Sequence, residues 1–249
     1  MRNIIIGDVH GCLRELEALL EKCSLLPTDQ LFFIGDLIDK GPYSVGVVRY
    51  VYGLSLKYNV KLILGNHEEK FLRYLRNKKQ NPKALKEMII IPDFLTLEEN
   101  LTVKELNFLY QSYYSFRIDE LNILLIHGGL PGTCKLQFDV NYQYNIHTPK
   151  NFKHLDLITK TRYLDSFGDF ISLGQEKDDS SYWADIYDGK FGTILFGHQP
   201  FFQDKPVIFS NAVGLDLGCV FGGSLLAYII ESDIVRWEKI KAFKIYANK

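Results

Sequence analysis

Five short apolar runs in this chain end alike, each passing straight into glycine and a carboxylate, amide or imidazole. Asn3-Ile4-Ile5-Ile6 leads into Gly7-Asp8-Val9-His10-Gly11, and Leu31-Phe32-Phe33-Ile34 into Gly35-Asp36-Leu37-Ile38-Asp39-Lys40-Gly41-Pro42. Lys61-Leu62-Ile63-Leu64 leads into Gly65-Asn66-His67-Glu68, Ile123-Leu124-Leu125-Ile126 into His127-Gly128-Gly129, and Ile194-Leu195-Phe196 into Gly197-His198. Unbroken runs of this length read as buried strands, and polar groups at their carboxyl ends lie where open α/β sheets place their chemistry. Gly35 permits a sharp turn, and Gly41-Pro42 ends its loop. A lone histidine is often a core residue, but four of the six (His10, His67, His127, His198) stand at these strand ends.

Between the runs, Leu13, Leu16, Leu19, Leu20 and Cys23 recur at helical spacing, with Arg14, Glu15, Glu17 and Glu21 on the other face. Further helices are predicted over 44–57 and 68–76. A βαβαβ opening implies a parallel sheet that brings the first three loops to one edge. Thr102-Val103-Lys104-Glu105 has the spacing of a capping box for a helix running to about Tyr114. Residues 116–126 alternate around Asp119-Glu120 as a hairpin would, delivering His127. Residues 131–157 have no clean period and read as a loop or small lid, with His147 and His154 as surface residues. Strands are expected at 193–196, 206–209, 213–217, 224–230, 234–238 and 240–246. The expectation is one domain over 1–249, parallel in its first half and mostly antiparallel in its second.

A net charge of -1 gives no basis for binding a nucleic-acid polymer or an acidic membrane surface, so electrostatics must act locally. The cysteines (Cys12, Cys23, Cys134, Cys219) show no Cys-x-x-Cys spacing, which removes zinc-knuckle and thioredoxin readings and suggests reduced thiols in a cytoplasmic protein. Met1-Arg2-Asn3 enters a strand directly, without the features of a signal peptide. No apolar run approaches the ~20 residues that span a bilayer.

Asp8 and Asp36, Asn66, and His10, His127 and His198 form a mixed oxygen and nitrogen donor set. It suits manganese, iron or zinc, whereas calcium prefers oxygen alone and structural zinc recruits cysteine. Six donors are too many for one catalytic ion that keeps an open position, but they suffice for two ions that share a carboxylate.

In this order, the motifs Gly-Asp-x-His-Gly, Gly-Asp-x-x-Asp-x-Gly, Gly-Asn-His-Glu, His-Gly-Gly and Gly-His resemble the phosphoprotein phosphatase branch of the calcineurin-like metallophosphoesterases. The resemblance spans 4–11 through 193–224. It implies an α/β fold of two mixed sheets packed face to face and flanked by helices (α-β-β-α). It also implies two divalent ions, manganese first: Asp8, His10 and Asp36 on one, and Asp36, Asn66, His127 and His198 on the other, with Asp36 bridging. His67 would protonate the leaving oxygen, oriented by Asp39, and a carboxylate on one ring nitrogen favours a protonated imidazole. The alternatives are a helix cap for His67 and a turn cap for Asp39. Lys40 stands where the family commonly has arginine, keeping the charge without the bidentate fork. Arg162 is either a surface arginine or a replacement phosphate ligand beside Lys40 and Asn66. Trp183-Ala184-Asp185 and 218–223 would shape the walls of the site.

The activity this implies is phosphomonoester hydrolysis by in-line attack of a hydroxide held between the ions, on phosphoserine or phosphothreonine in proteins. The alternative is symmetrical cleavage of diadenosine tetraphosphate, with the tyrosines of 142–144 stacking on adenine. A third reading, a catalytically silent binding protein that fits a monomer as well as the enzymes do, is opposed by the intact donor sets and His67.

Overall fold

The computed structural model describes residues 1–132, 141–144, 155–232 and 234–248. The chain opens as expected, with β1 (Arg2–Ile6), α1 (Leu13–Cys23), β2 (Gln30–Phe33), α2 (Ser44–Ser55), β3 (Asn59–Leu62) and α3 (Asn66–Gln80). Three helices follow: α4 (Pro82–Lys86), α5 (Pro92–Asn100) and α6 (Val103–Tyr110). The last begins on the predicted capping box, in which Thr102 N–H donates to Glu105 Oε2 at 2.7 Å and Glu105 N–H to Thr102 Oγ1 at 3.3 Å. β4 (Tyr113–Ile118) and β5 (Ile123–Ile126) form the expected hairpin around Asp119–Leu121. The remainder is β6 (Tyr142–Gln143), β7 (Tyr163–Leu164), β8 (Phe170–Ile171), β9 (Ser181–Tyr182), α7 (Trp183–Ile186), β10 (Thr193–Phe196), β11 (Val207–Ile208), β12 (Ala212–Gly214), β13 (Ser224–Glu231) and β14 (Ile234–Lys241).

These strands build a sheet of order β14-β13-β1-β2-β3, a second of order β11-β12-β10-β5-β4-β6, and a small sheet β8-β7-β9. Two details differ from expectation. The second half is mostly antiparallel, as expected, but β10 pairs in parallel with both β5 and β12, so both larger sheets are mixed. The predicted strands 234–238 and 240–246 are one strand to Lys241. Most of the supposed lid, 133–140 and 145–154, lies outside the described residues, as do Cys134, His147 and His154.

Period-two alternation explains why the strands are apolar throughout. Ile5, Phe32 and Ile34 of the first sheet meet Leu125, Leu195 and Val213 of the second in a core between the sheets. Their neighbours Ile4, Ile6, Leu31, Phe33, Ile194 and Phe196 point outward into the other core, beneath α1, α2 and Trp183. A strand covered on both faces has no solvent side on which to place a polar residue. The sheets are joined at one edge, where Leu64 N–H donates to Tyr113 O at 2.7 Å and Ile63 bridges to Tyr113. Cys12, Cys23 and Cys219 are free and buried, and no described helix is long and apolar enough to cross a membrane.

The end of the first sheet away from the strand-end loops is fastened by a buried ion pair. Arg2 Nε donates to Asp29 Oδ1 at 2.9 Å, while its Nη2 donates to Ser24 O at 2.9 Å, tying β1 to the turn after α1. Burial opposes the charge on Asp29, but the bonds from Arg2 and the Leu26 N–H outweigh it and hold the carboxyl below its ordinary value. A depressed value means that this stabilisation is present above the unfolded carboxyl's ~3.9 and fades as pH falls through the lower folded value. We expect Asp29→Ala to cost roughly 3–5 kcal/mol in urea unfolding at pH 7, since it leaves a buried guanidinium uncompensated. The gap from wild type should narrow as the pH is taken below ~3.9.

Candidate active site

All five strand-end loops, after β1, β2, β3, β5 and β10, converge on Asp36. Its Oδ2 lies 3.4 Å from His10 Nε2, 3.3 Å from His127 Nε2 and 3.8 Å from His67 Nε2. Its Oδ1 accepts the His67 N–H at 3.1 Å. Nitrogen and oxygen atoms of His10, Asp36 and His67 form one cluster, and those of Asp36, His127 and His198 a second, each within 4.8 Å. The two share Asp36.

Backbone geometry sets this up. Among the described residues, His10, Asp36, Asp39, Lys40 and His198 have positive φ (45°, 49°, 70°, 68° and 66°), five of the nine non-glycine cases. Side chains are rarely held this way unless the surroundings over-determine them. Much of that is done by Glu68, which is fully buried. Its carboxylate accepts N–H groups from Asp36 (2.8 Å), Leu37 (2.8 Å), Ile38 (3.2 Å) and Gly65 (3.1 Å), clamping the β2 loop to the first turn of α3. The two loops approach so closely that a Cβ on Gly65 would lie 2.2 Å from Asp36 Oδ1, and one on Gly35, at φ +94°, 2.6 Å from Gly65 N. Glu68 was visible in the sequence only as the last letter of Gly-Asn-His-Glu. Its spacing from Gly65, three residues as in a capping box, was the signal available.

The imidazoles are presented as ligands usually are, with one nitrogen tied to the main chain and the other facing the cluster. His10 Nδ1 donates to Ile38 O at 3.0 Å and His127 Nδ1 to Ile34 O at 2.7 Å. His198 Nε2 donates to Lys160 O at 3.2 Å. Burial lowers His10 to about 3 and His198 well below its usual value, so both rings are neutral with a lone pair to offer. Asn66 Oδ1 lies 3.2 Å from His127 Nε2. Asp8 is next to the clusters rather than in the first one: its carboxylate accepts the His198 N–H at 3.0 and 3.2 Å. The ring in its place is His67, whose Nδ1 donates to Asp39 Oδ2 at 2.6 Å.

Three carboxyl groups are buried together at the floor of this pocket. Asp8, Asp36 and Asp216 are all buried. Burial and the charge of Asp216 push Asp8 well up, and burial pushes Asp216 up to about 6. Burial disfavours charge on His127, yet Asp36 and Asp8 raise it to about 9. Burial also opposes ionisation of Asp36, but His127, His67 and His10 outweigh it and hold it well below the usual range. Cations beside the shared carboxylate would relieve all of these, and the oxygen and nitrogen donors fit a first-row divalent ion.

The clusters form the floor of a cleft of about 370 Å³. Its walls carry Lys40, Lys70, Lys160 and Arg162. Lys40 Nζ donates to His10 Nε2 at 2.8 Å and lies 5.4 Å from the Phe221 ring, so the 218–223 segment does reach the site. Arg162 Nη2 donates to His198 O at 2.8 Å, and its buried Nε has no partner among the described residues. Two expected wall elements lie elsewhere. Trp183 is buried against Gly129, where a Cβ would come within 2.3 Å of its ring, and it lines a separate cavity. Tyr144 packs in the core with Tyr110 and Tyr114, their rings 6.1 and 5.8 Å away, so 142–144 offers no adenine seat at the cleft.

The model of the calcineurin-like phosphoesterases matches residues 1–202. The chain belongs to that family. It is therefore a metal-dependent phosphoester hydrolase, which sets aside the silent binding protein. Over 246 residues this phosphoesterase is 31% identical to an asymmetrical bis(5′-nucleosyl)-tetraphosphatase of Oceanobacillus iheyensis, covering 92% of the chain and 88% of the relative. It is 30% identical to a symmetrical bis(5′-nucleosyl)-tetraphosphatase of Psychromonas ingrahamii, covering 100% and 98%. A solved structure of a candidate diadenosine tetraphosphatase superposes with a TM-score of 0.69 at 27% identity, covering 96% of this chain and 93% of that one. A serine/threonine phosphatase of Saccharomyces cerevisiae shares the fold alone, at 15% identity and a TM-score of 0.61, over 98% and 81%.

The clamp can be tested directly. Glu68→Gln replaces one acceptor oxygen with an NH₂ that faces main-chain N–H groups, so roughly 1–3 kcal/mol of stability should be lost. Metal affinity should fall about 10–100-fold, as for other groups that orient ligands. Urea titration and metal content after gel filtration check both, and an unchanged metal content would remove the clamp's positioning role.

Proposed function

We propose that this phosphoesterase hydrolyses dinucleoside tetraphosphates, diadenosine tetraphosphate being the substrate to test first. The observation that carries the reading is the cleft: Lys40, Lys70, Lys160 and Arg162 line the same space as Asp36 and His67. A phosphorylated side chain presents one phosphate, whereas a tetraphosphate presents several, and a cleft lined by four cationic side chains suits the second. The serine/threonine phosphatase reading has no comparable support, since the likeness to such an enzyme is one of fold. Relatives are named for both symmetrical and asymmetrical cleavage, so the bond broken is read from the products.

Two divalent ions, manganese first, would be held by His10, Asp36 and the adjoining Asp8, and by Asp36, Asn66, His127 and His198. When bound, such ions neutralise phosphoryl oxygens and make a nucleophile available from water near neutral pH. Asp39 holds His67 by its Nδ1 at 2.6 Å, which fixes the ring and leaves Nε2 toward the cleft to protonate the leaving oxygen. Asp39 is itself positioned, its N–H donating to Ser44 Oγ at 2.9 Å and to Asp93 Oδ2 at 3.1 Å. Arg162, Lys40 and the Asn66 amide would grip phosphate oxygens.

With manganese supplied, kcat/KM for diadenosine tetraphosphate should exceed that for a phosphoserine peptide by about tenfold or more, at least one good contact's worth. Chromatography of the products gives the position: ADP alone for symmetrical cleavage, AMP with ATP for asymmetrical. Preference for the peptide would overturn the substrate class. His67→Ala should lower kcat by roughly 10²–10⁴ with metal content unchanged. Because His67 Nε2 stands 3.8 Å from Asp36 Oδ2, loss of metal in this variant would instead make the ring a ligand.

A further inference from the structure

The cleft is not charged all round. Phe170 and Leu173 contribute to the same lining. Both belong to or adjoin β8 of the small sheet, an element that none of the strand-end motifs announces. Leu173 is 69% exposed, so its side chain is accessible from solvent. Lys160 Nζ lies 5.8 Å from the centre of the Phe170 ring, with its other contact to Asp156 Oδ2 at 2.9 Å. The Lys160 carbonyl also holds His198, so this residue links the aromatic wall to the floor. Phe170 in turn stands between the cleft and a neighbouring cavity of about 410 Å³ lined by Phe167, Ile171 and Gln175.

An aromatic ring beside an ammonium, both facing one cleft, is the pairing that a nucleotide requires: a planar surface for the base and a cation for the adjoining phosphate. We infer that Phe170, with Leu173 at its edge, is the seat of one nucleobase of the substrate, and that Lys160 binds the phosphate next to that nucleoside. The inference rests on the dinucleotide reading and deepens it. It replaces the tyrosines of 142–144, which the fold buries or turns elsewhere, as the adenine-binding element. Phe170 is then a specificity-determining residue, distant from the bond that breaks.

The test compares substrates with and without a base. In Phe170→Ala, the KM for diadenosine tetraphosphate should rise relative to that for p-nitrophenyl phosphate by roughly tenfold, in line with the loss of one base–aromatic stack. Phe170→Leu, which keeps the bulk in β8, should show the same change in ratio, and Phe170→Trp should restore it. Equal losses on both substrates in Ala and Leu variants would make Phe170 structural and overturn the inference. So would an unchanged ratio, while wild-type cleavage of diadenosine tetraphosphate left the substrate reading standing. A second arm uses ADP and inorganic pyrophosphate as competitors of p-nitrophenyl phosphate. Wild type should bind ADP more tightly, and Phe170→Ala should erase the difference. If that holds for an enzyme that fails to cleave the dinucleotide, the base seat stands and the tetraphosphate reading falls.

Discussion

The site depends on one buried carboxylate that touches no substrate. Glu68 gathers four main-chain N–H groups from two loops and in doing so fixes the direction of Asp36. Such N–H groups, buried and unpaired, would each cost on the order of 1–3 kcal/mol. Accepting them on one carboxyl group makes the strained β2 loop, with positive φ at Asp36, Asp39 and Lys40, a stable arrangement. Without the clamp these residues have no reason to hold conformations that side chains disfavour.

Once Asp36 is fixed, burial governs the electrostatics. Desolvation strips His10 and His198 of protons, while Asp8, Asp36 and Asp216 crowd into the same dry volume. Neutral imidazoles and excess carboxylates are the state that a divalent cation resolves and that a proton resolves poorly, because one proton cannot serve several carboxylates at once. The two ends of the sheet thus differ in kind. At the far end Arg2 and Asp29 satisfy each other; at the strand-end loops the charges are left to be balanced from outside.

Much of this was legible along the chain. The apolar runs gave the strands β1, β2, β3, β5 and β10, because strands covered on two faces cannot alternate with polar residues, and the glycines at their ends marked where the backbone turns; that the strands build two packed sheets came from the family resemblance. Thr102 and Glu105 placed the start of α6, since a capping box is a local event. The small sheet escaped notice because its strands are two residues long, too short for a period to register. The parallel pairing of β10 with β5 escaped for another reason: pairing partners that lie some 70 residues apart leave no mark on either strand's own composition.

The sequence by itself therefore determined which residue types stand at strand ends and that they suit divalent metal and phosphate, because those properties are local and chemical. Only the tertiary structure decided which of them meet. Asp36 at the shared centre, His67 against Asp39, Asp8 turned to the His198 main chain, Arg162 drawn to the cleft and Phe170 lining the same cleft as Lys40 and Lys70 all bring distant segments together. Distances of this kind are fixed by how two sheets pack and how loops are clamped, and no spacing along the chain encodes them.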